Sequence, residues 1–144
     1  MPTIAILDDD LDRIRRMTEI LSFRFPKFAI AAFDNAPEMI TWLRDNLAAT
    51  NLICLDHDLG PNRIRDGETF DPGTGRDVAD FLAGRAPVCP AIIHTTNNLA
   101  APGMQMVLED AGWPFSRVVP FNDLQWISTE WIGSVAAAIE GTIG

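Results

Sequence analysis

The apolar positions of this chain repeat one sequence of changes: a short apolar run, a polar loop, then apolar residues three and four apart. Thr3 to Leu7 is the first run, and Leu11, Ile14, Met17 and Leu21 form the first helical stripe, because a 3.6-residue repeat gathers such positions on one face. That helix must stop before Pro26, since a residue preceding proline is pushed out of the α region. Phe28 to Phe33 is the second predicted strand. Asn35 followed by Glu38 has the pattern of a capping box, and Met39, Ile40, Leu43 and Leu47 give the second helix its buried face. Asn51 to Leu55 is apolar at both alternating sets of positions, as a strand covered on both sides requires, and is predicted to be central.

Gly60 to Gly75 carries prolines, glycines and charges without a period, a loop longer than most strand-to-helix connections. Thr74 with Asp77 caps a third helix whose Val78, Phe81 and Leu82 face inward, with Pro87 beyond its end. Ala91 to Ile93 is the fourth strand. A loop, a helix through Met104, Val107 and Leu108, and a stop at Gly112 and Pro114 follow it. Arg117 to Val119 makes a fifth strand, and a closing helix through Trp131, Val135 and Ile139 starts near Ser128. Strands alternating with helices imply parallel pairing and right-handed crossovers. The expected fold is α/β: a three-layer, doubly wound, five-stranded parallel sheet of order 2-1-3-4-5, with ligands bound beyond the carboxyl ends of the strands. No repeat or linker divides residues 1–144, so one domain is expected.

Composition narrows the picture. A chain of 144 residues, 47% hydrophobic, buries about 70% of its unfolded surface. No apolar run reaches membrane-spanning length and no basic start precedes the first apolar run, so neither a membrane span nor a secretory leader is expected. Cys54 and Cys89 sit in apolar runs without zinc spacing, which points to a reducing, cytoplasmic setting. On neighbouring strands their heights would differ by roughly three residues, about 10 Å, too far for a disulfide. With 11 basic and 20 acidic residues the net charge is −9, which argues against general nucleic-acid coating. Lys27 is the one lysine, there are two histidines, and tyrosine is absent; chemistry needing those side chains has few candidates.

The unusual residues fall at one end of the predicted sheet. Asp8, Asp9 and Asp10 follow the first strand, Asp56, His57 and Asp58 the third, and His94, Thr95, Thr96 and Asn97 the fourth. In the order 2-1-3-4-5 these loops are neighbours at one crevice. Gathered carboxylates repel one another unless protons or a cation intervene, and an all-oxygen set suits a hard ion such as Mg2+, or Mn2+. Asp8 to Asp10 also suit the start of a helix, where acids are favoured, but no helix starts at Asp56 or Asp58.

ILDDD (6–10), LICLDHDLG (52–60), IIHTT (92–96) and VVPFNDL (118–124) resemble the acidic pair, phospho-accepting strand, hydroxyl-ending strand and fifth strand of response-regulator receiver domains. The resemblance implies that Asp9 and Asp56 ligate Mg2+ directly, Asp8 through water and Asp58 through its carbonyl, with Thr95 on a phosphoryl group. Receivers carry a lysine before the proline of the fifth strand; here that position is Val119. More narrowly, LDDDLDR (7–13), LDHDLG (55–60), TGRDVADFL (74–82) and IHTTN (93–97) resemble the cyclic-phosphate-processing receiver family, in which histidines join the acidic pocket.

That resemblance implies a metal-dependent phosphoesterase acting on a cyclic phosphate of a small phosphorylated ligand, nucleotide or RNA end. Histidines near pKa 6.5 suit acid and base roles, so His57 or His94 would activate water beside Asp56 and the other would protonate the leaving oxygen. Thr95 and Asn97 would hold the phosphate, and Arg63, Arg65 and Arg76 are candidates to replace the lysine, Arg76 most of all because a cation in the first turn of a helix opposes its dipole. Arg13, Arg15 and Arg16 read as a solvated helix face. Trp113 and Trp126 bracket the fifth strand and suggest a partner or self-association surface there. The rival reading is a signalling or binding module: a stand-alone receiver phosphorylated on Asp56, or a degenerate one.

Overall fold

Alternation along the buried strands decides the layers. Ala5, Leu7, Ile53, Leu55, Ala91 and Ile93 face one side of the sheet, while Ile4, Ile6, Leu52, Cys54, Ile92 and Val118 face the other, as a two-residue period requires. The computed structural model describes residues 1–143. Its elements are β1 (Thr3–Leu7), α1 (Leu11–Arg24), β2 (Ala29–Phe33), α2 (Ala36–Asn46), β3 (Thr50–Leu55), β4 (Arg63–Arg65), β5 (Glu68–Phe70), α3 (Gly75–Ala83), β6 (Ala91–His94), α4 (Ala101–Asp110), β7 (Phe115–Val118) and α5 (Glu130–Ile143). Short 3-10 turns occupy Leu47–Ala49 and Gln125–Ile127.

Five parallel strands run in the order β2-β1-β3-β6-β7. This is the predicted 2-1-3-4-5 sheet, with β6 and β7 as its fourth and fifth members. Helices α2, α3 and α4 cover one face, and α1 and α5 the other. The caps fall where the sequence indicated: Asp10 accepts from the amides of Asp12 and Arg13, Asn35 from Glu38, and Asp77 from Thr74. Cys54 and Cys89 are buried free thiols, one in each core layer, so the sheet itself separates them. No helix among the described residues is long and apolar enough to cross a membrane.

Three expectations need correction. The loop from 60 to 75 contains a hairpin, β4 with β5, closed by Asp66 and Gly67 at φ 52° and 80°, the left-handed pair that a two-residue hairpin turn needs. The last sheet strand begins at Phe115 rather than Arg117 and ends before Val119, because Ala91 already donates to the Pro114 carbonyl at 2.9 Å. Trp113 and Trp126 are core residues, 2% and 0% exposed, and so supply no partner surface. Trp113 donates its ring N–H to the Leu82 carbonyl at 2.9 Å.

Gly75 fixes the distance between α3 and the end of β3. Its amide donates to the His57 carbonyl at 2.9 Å, and a Cβ there would lie 1.9 Å from the Asp56 carbonyl oxygen. Backbone that cannot yield makes Gly75→Ala an overpacking change expected to cost about 3 kcal/mol or more. Gly133→Ala, on α5 with open space around it, is expected to gain up to about 1 kcal/mol from helix propensity. Urea unfolding of the two variants beside wild type checks both signs.

Candidate functional site

The parallel register that sets Leu7 opposite Leu55 makes β1 and β3 end together, so the aspartates that follow leave the sheet side by side. Asp56 donates its amide to the Leu7 carbonyl and Asp8 donates to that of Phe33, both at 3.0 Å. One carboxylate oxygen each from Asp8, Asp9 and Asp56 lies within 4.8 Å of the other two. Asp8 and Asp56 are buried and Asp9 is exposed. Burial, and after it the charge of Asp8, push the Asp56 carboxyl up to about 7 against the pull of His94 and Arg13. The same two causes raise Asp9. Three acids raised or crowded in this way, offering only oxygen, fit a divalent cation.

The two histidines occupy different environments. His94 ends β6 on the same face as Ile92, which places it under α5: it is 0% exposed and stacks on Trp126 with centroids 5.8 Å apart. Its Nε2 meets Asp8 Oδ2 at 3.0 Å, and its buried Nδ1 has no hydrogen-bond partner. Its hydrogen bond to the pocket is therefore the one to Asp8, and it positions that carboxylate; this place does not suit the acid or base role. His57 directly follows Asp56 and is partly buried, its side chain 16% exposed. Its Nδ1 is 2.8 Å from Asp58 Oδ1, and Asn97 donates its amide to both oxygens of Asp58 at 3.3 Å. Among the described residues no group pairs with His57 Nε2. Asp58 is thus brought to His57 and Asn97, and its carboxylate is not part of the cluster of Asp8, Asp9 and Asp56.

Arg13, read from sequence as solvated, points into the pocket. Its guanidinium lies 3.7 Å from Asp8, 3.8 Å from Asp56 and 3.9 Å from Asp10, and sits 5.4 Å from the centre of the Trp126 ring. Side chains on a helix lean toward its N-terminus, and the N-terminus of α1 is the pocket, so a long cation in the first turn curls back over it. That geometric signal was present in the sequence.

The other predicted phosphate contacts are distributed differently. Thr95 is buried beside His94, and its hydroxyl accepts from the Asn97 amide at 3.0 Å, leaving the hydroxyl proton free to donate. Asn97 spends its side-chain oxygen on the amides of Leu99 and Ala100, so both its polar atoms are engaged within the protein. Arg76 donates to Asp80 at 3.0 Å, and none of its contacts reaches the carboxylates. Arg63 binds the Asp34 carboxylate at 3.1 Å and Arg65 binds Glu38 at 2.7 Å, fastening the hairpin to the β2–α2 loop and the first turn of α2. Val119 is exposed at 48% and offers no cation; Arg13 faces Asp8 and Asp56, and the charge of Arg63 also acts on Asp9.

The family model described as "Cyclic-phosphate processing Receiver domain" matches residues 4–110. No curated protein matches in sequence. Among solved structures, the response regulator receiver domain from Rhodospirillum rubrum superposes with a TM-score of 0.65 at 16% identity, over 99% of this chain and 94% of that one. The non-phosphorylated HemR receiver domain from Leptospira biflexa gives 0.67 at 20% identity, over 96% and 94%. The Mn2+-bound form of response regulator Rcp1 gives 0.66 at 14% identity, over 89% and 88%. At these identities the likeness is one of fold.

Proposed function

The chain belongs to the cyclic-phosphate processing receiver domain family, and on that footing we propose that its acidic pocket hydrolyses a cyclic phosphodiester of a nucleotide or RNA end to a phosphomonoester. The observation that carries this reading is the pair that follows Asp56 in the chain: His57 holds Nδ1 against Asp58 at 2.8 Å and leaves Nε2 without a protein partner among the described residues. An ionised carboxylate accepts, so Nδ1 donates and Nε2 keeps its lone pair, the tautomer of a general base. Mg2+ or Mn2+ held by Asp8, Asp9 and Asp56 would neutralise their charge and polarise a phosphoryl oxygen.

The chain's own groups do the rest. His57 Nε2 takes a proton from water as the water oxygen bonds to phosphorus. The bond from phosphorus to one ring oxygen breaks, and the imidazolium returns its proton to that leaving alkoxide. Arg13 supplies paired N–H donors to non-bridging oxygens, the part a lysine at position 119 would have played. Thr95 retains a hydroxyl proton for a third.

Arg13→Gln is expected to lower kcat/KM about 100-fold, with Arg13→Lys intermediate, because the transition state carries more charge than the substrate. Steady-state kinetics of both variants measures it. The reading as a whole is tested by a panel of 2′,3′-cyclic nucleotides with Mg2+, Mn2+ or chelator, run beside acetyl phosphate. Metal-dependent turnover is expected. An acyl phosphate on Asp56 without any turnover of cyclic esters would establish the rival signalling role.

A further inference from the structure

Next to the acid cluster, across Arg13, the loops following β1, β6 and β7 line an open cleft of about 180 Å³ whose walls include Asp10, Arg13, Thr96, Phe121, Asn122 and Asp123. Arg13 is a shared wall: the same side chain that lies within 4.0 Å of Asp8 and Asp56 closes one side of the cleft. A ligand with its phosphate at the acids therefore has this space beside it, past Arg13. We propose that the cleft is a nucleobase subsite selective for guanine, an inference that builds on the cyclic-phosphate reading of the neighbouring pocket.

The lining states what it accepts. Asp10 and Asp123 repel a second phosphate, so an uncharged part of the ligand enters. Asp10 is occupied, capping α1 with Oδ1 and facing Arg13 with Oδ2. Asp123 has no partner among the described residues and is exposed. Two carboxylate oxygens in one plane match two adjacent N–H donors on one edge. Of the four RNA bases only guanine offers that pair, at N1 and its exocyclic amine. Adenine and cytosine put an acceptor beside their amine, and uracil has one N–H between two carbonyls. Phe121, 40% exposed at the cleft, provides the ring face on which proteins stack unpaired bases. The Asn122 amide, whose contact with Gln125 is long at 3.5 Å, is a donor for the guanine carbonyl.

The test is an NMR titration of the full chain with guanosine, adenosine, cytidine and uridine, none of which carries phosphate. Guanosine is expected to bind at least about tenfold more tightly than the others, because a site that pairs two N–H groups is left unpaired by bases that lack them. Asp123→Asn, which keeps the left-handed backbone at φ 57° that asparagine tolerates, is expected to erase the preference. Phe121→Ala is expected to weaken every nucleoside about tenfold. Equal affinities, no binding, or a guanosine preference that survives Asp123→Asn would overturn the proposal. Turnover of cyclic esters is a separate readout: its absence alongside guanosine binding removes the hydrolase reading and leaves the subsite, and base-independent turnover removes only the subsite.

Discussion

Replacing Asp56 with asparagine should remove cyclic-ester turnover while making the metal-free protein more stable. Asp56 is buried beside Asp8 and within reach of Asp9, so it is one of three carboxylates that would hold a cation. Loss of that ligand is expected to lower kcat by about 10⁴ or more, since the phosphoryl oxygens lose their polarising partner. The stability gain has a definite sign. With its carboxyl pushed up to about 7 from an ordinary 3.8, the folded state holds an extra proton across that interval. Its contribution to stability is therefore full below the ordinary value and lost as pH rises through about 7. Metal-free wild type should lose stability on going from about pH 5.5 to about pH 8 relative to Asp56→Asn, by on the order of 2 kcal/mol. Mg2+ should raise the wild-type Tm more at the higher pH, where no proton competes, and leave the variant's Tm nearly unmoved. Calorimetric scans at the two pH values, with and without Mg2+, check all three signs.

The two histidines should separate just as sharply. His57→Ala removes the free Nε2 and the Nδ1 contact with Asp58 from a side chain that is 16% exposed. It is expected to lower kcat about 10²- to 10⁴-fold with a smaller fall in Tm than His94→Ala. His94→Ala instead leaves the buried Asp8 carboxylate without its 3.0 Å partner and a hole against Trp126. Breaking one side of a buried pair costs about 3 kcal/mol or more, and losing the group that orients a ligand weakens metal affinity about 10- to 100-fold. Denaturant unfolding, Mn2+ titration and turnover on both variants measure the split. Equal losses of turnover with equal stability would assign both histidines the same role.

The carboxyl-end crevice was legible because it depends only on where apolar runs stop. A parallel doubly wound sheet then brings Asp8, Asp56 and His94 together whatever the loops do. The roles of the two histidines were hidden by one residue of strand length. Reading the fourth strand as ending at Ile93 leaves His94 in a loop, whereas β6 includes it, and a two-residue period from buried Ile92 sends it inward. The tryptophans misled for a related reason: bracketing a strand in sequence does not say which way a ring turns, and Trp126 turns under the sheet to become the surface on which His94 and Arg13 rest. Arg13 was obscured by its charged neighbours Arg15 and Arg16, which do form surface pairs with Asp12 and Glu19. The hairpin had its signal in Asp66-Gly67, but strands of three residues, Arg-Ile-Arg and Glu-Thr-Phe, are too short and too charged to show a two-residue period.

One tube decides between hydrolysis and signalling. Phosphorus NMR of wild type mixed with guanosine 2′,3′-cyclic phosphate and Mg2+ should show the cyclic resonance replaced by that of a phosphomonoester, and that conversion should not occur with chelator present or with Asp56→Asn. Persistence of the cyclic resonance under every metal condition, together with a labile acyl phosphate on Asp56 after acetyl phosphate treatment, would contradict the account.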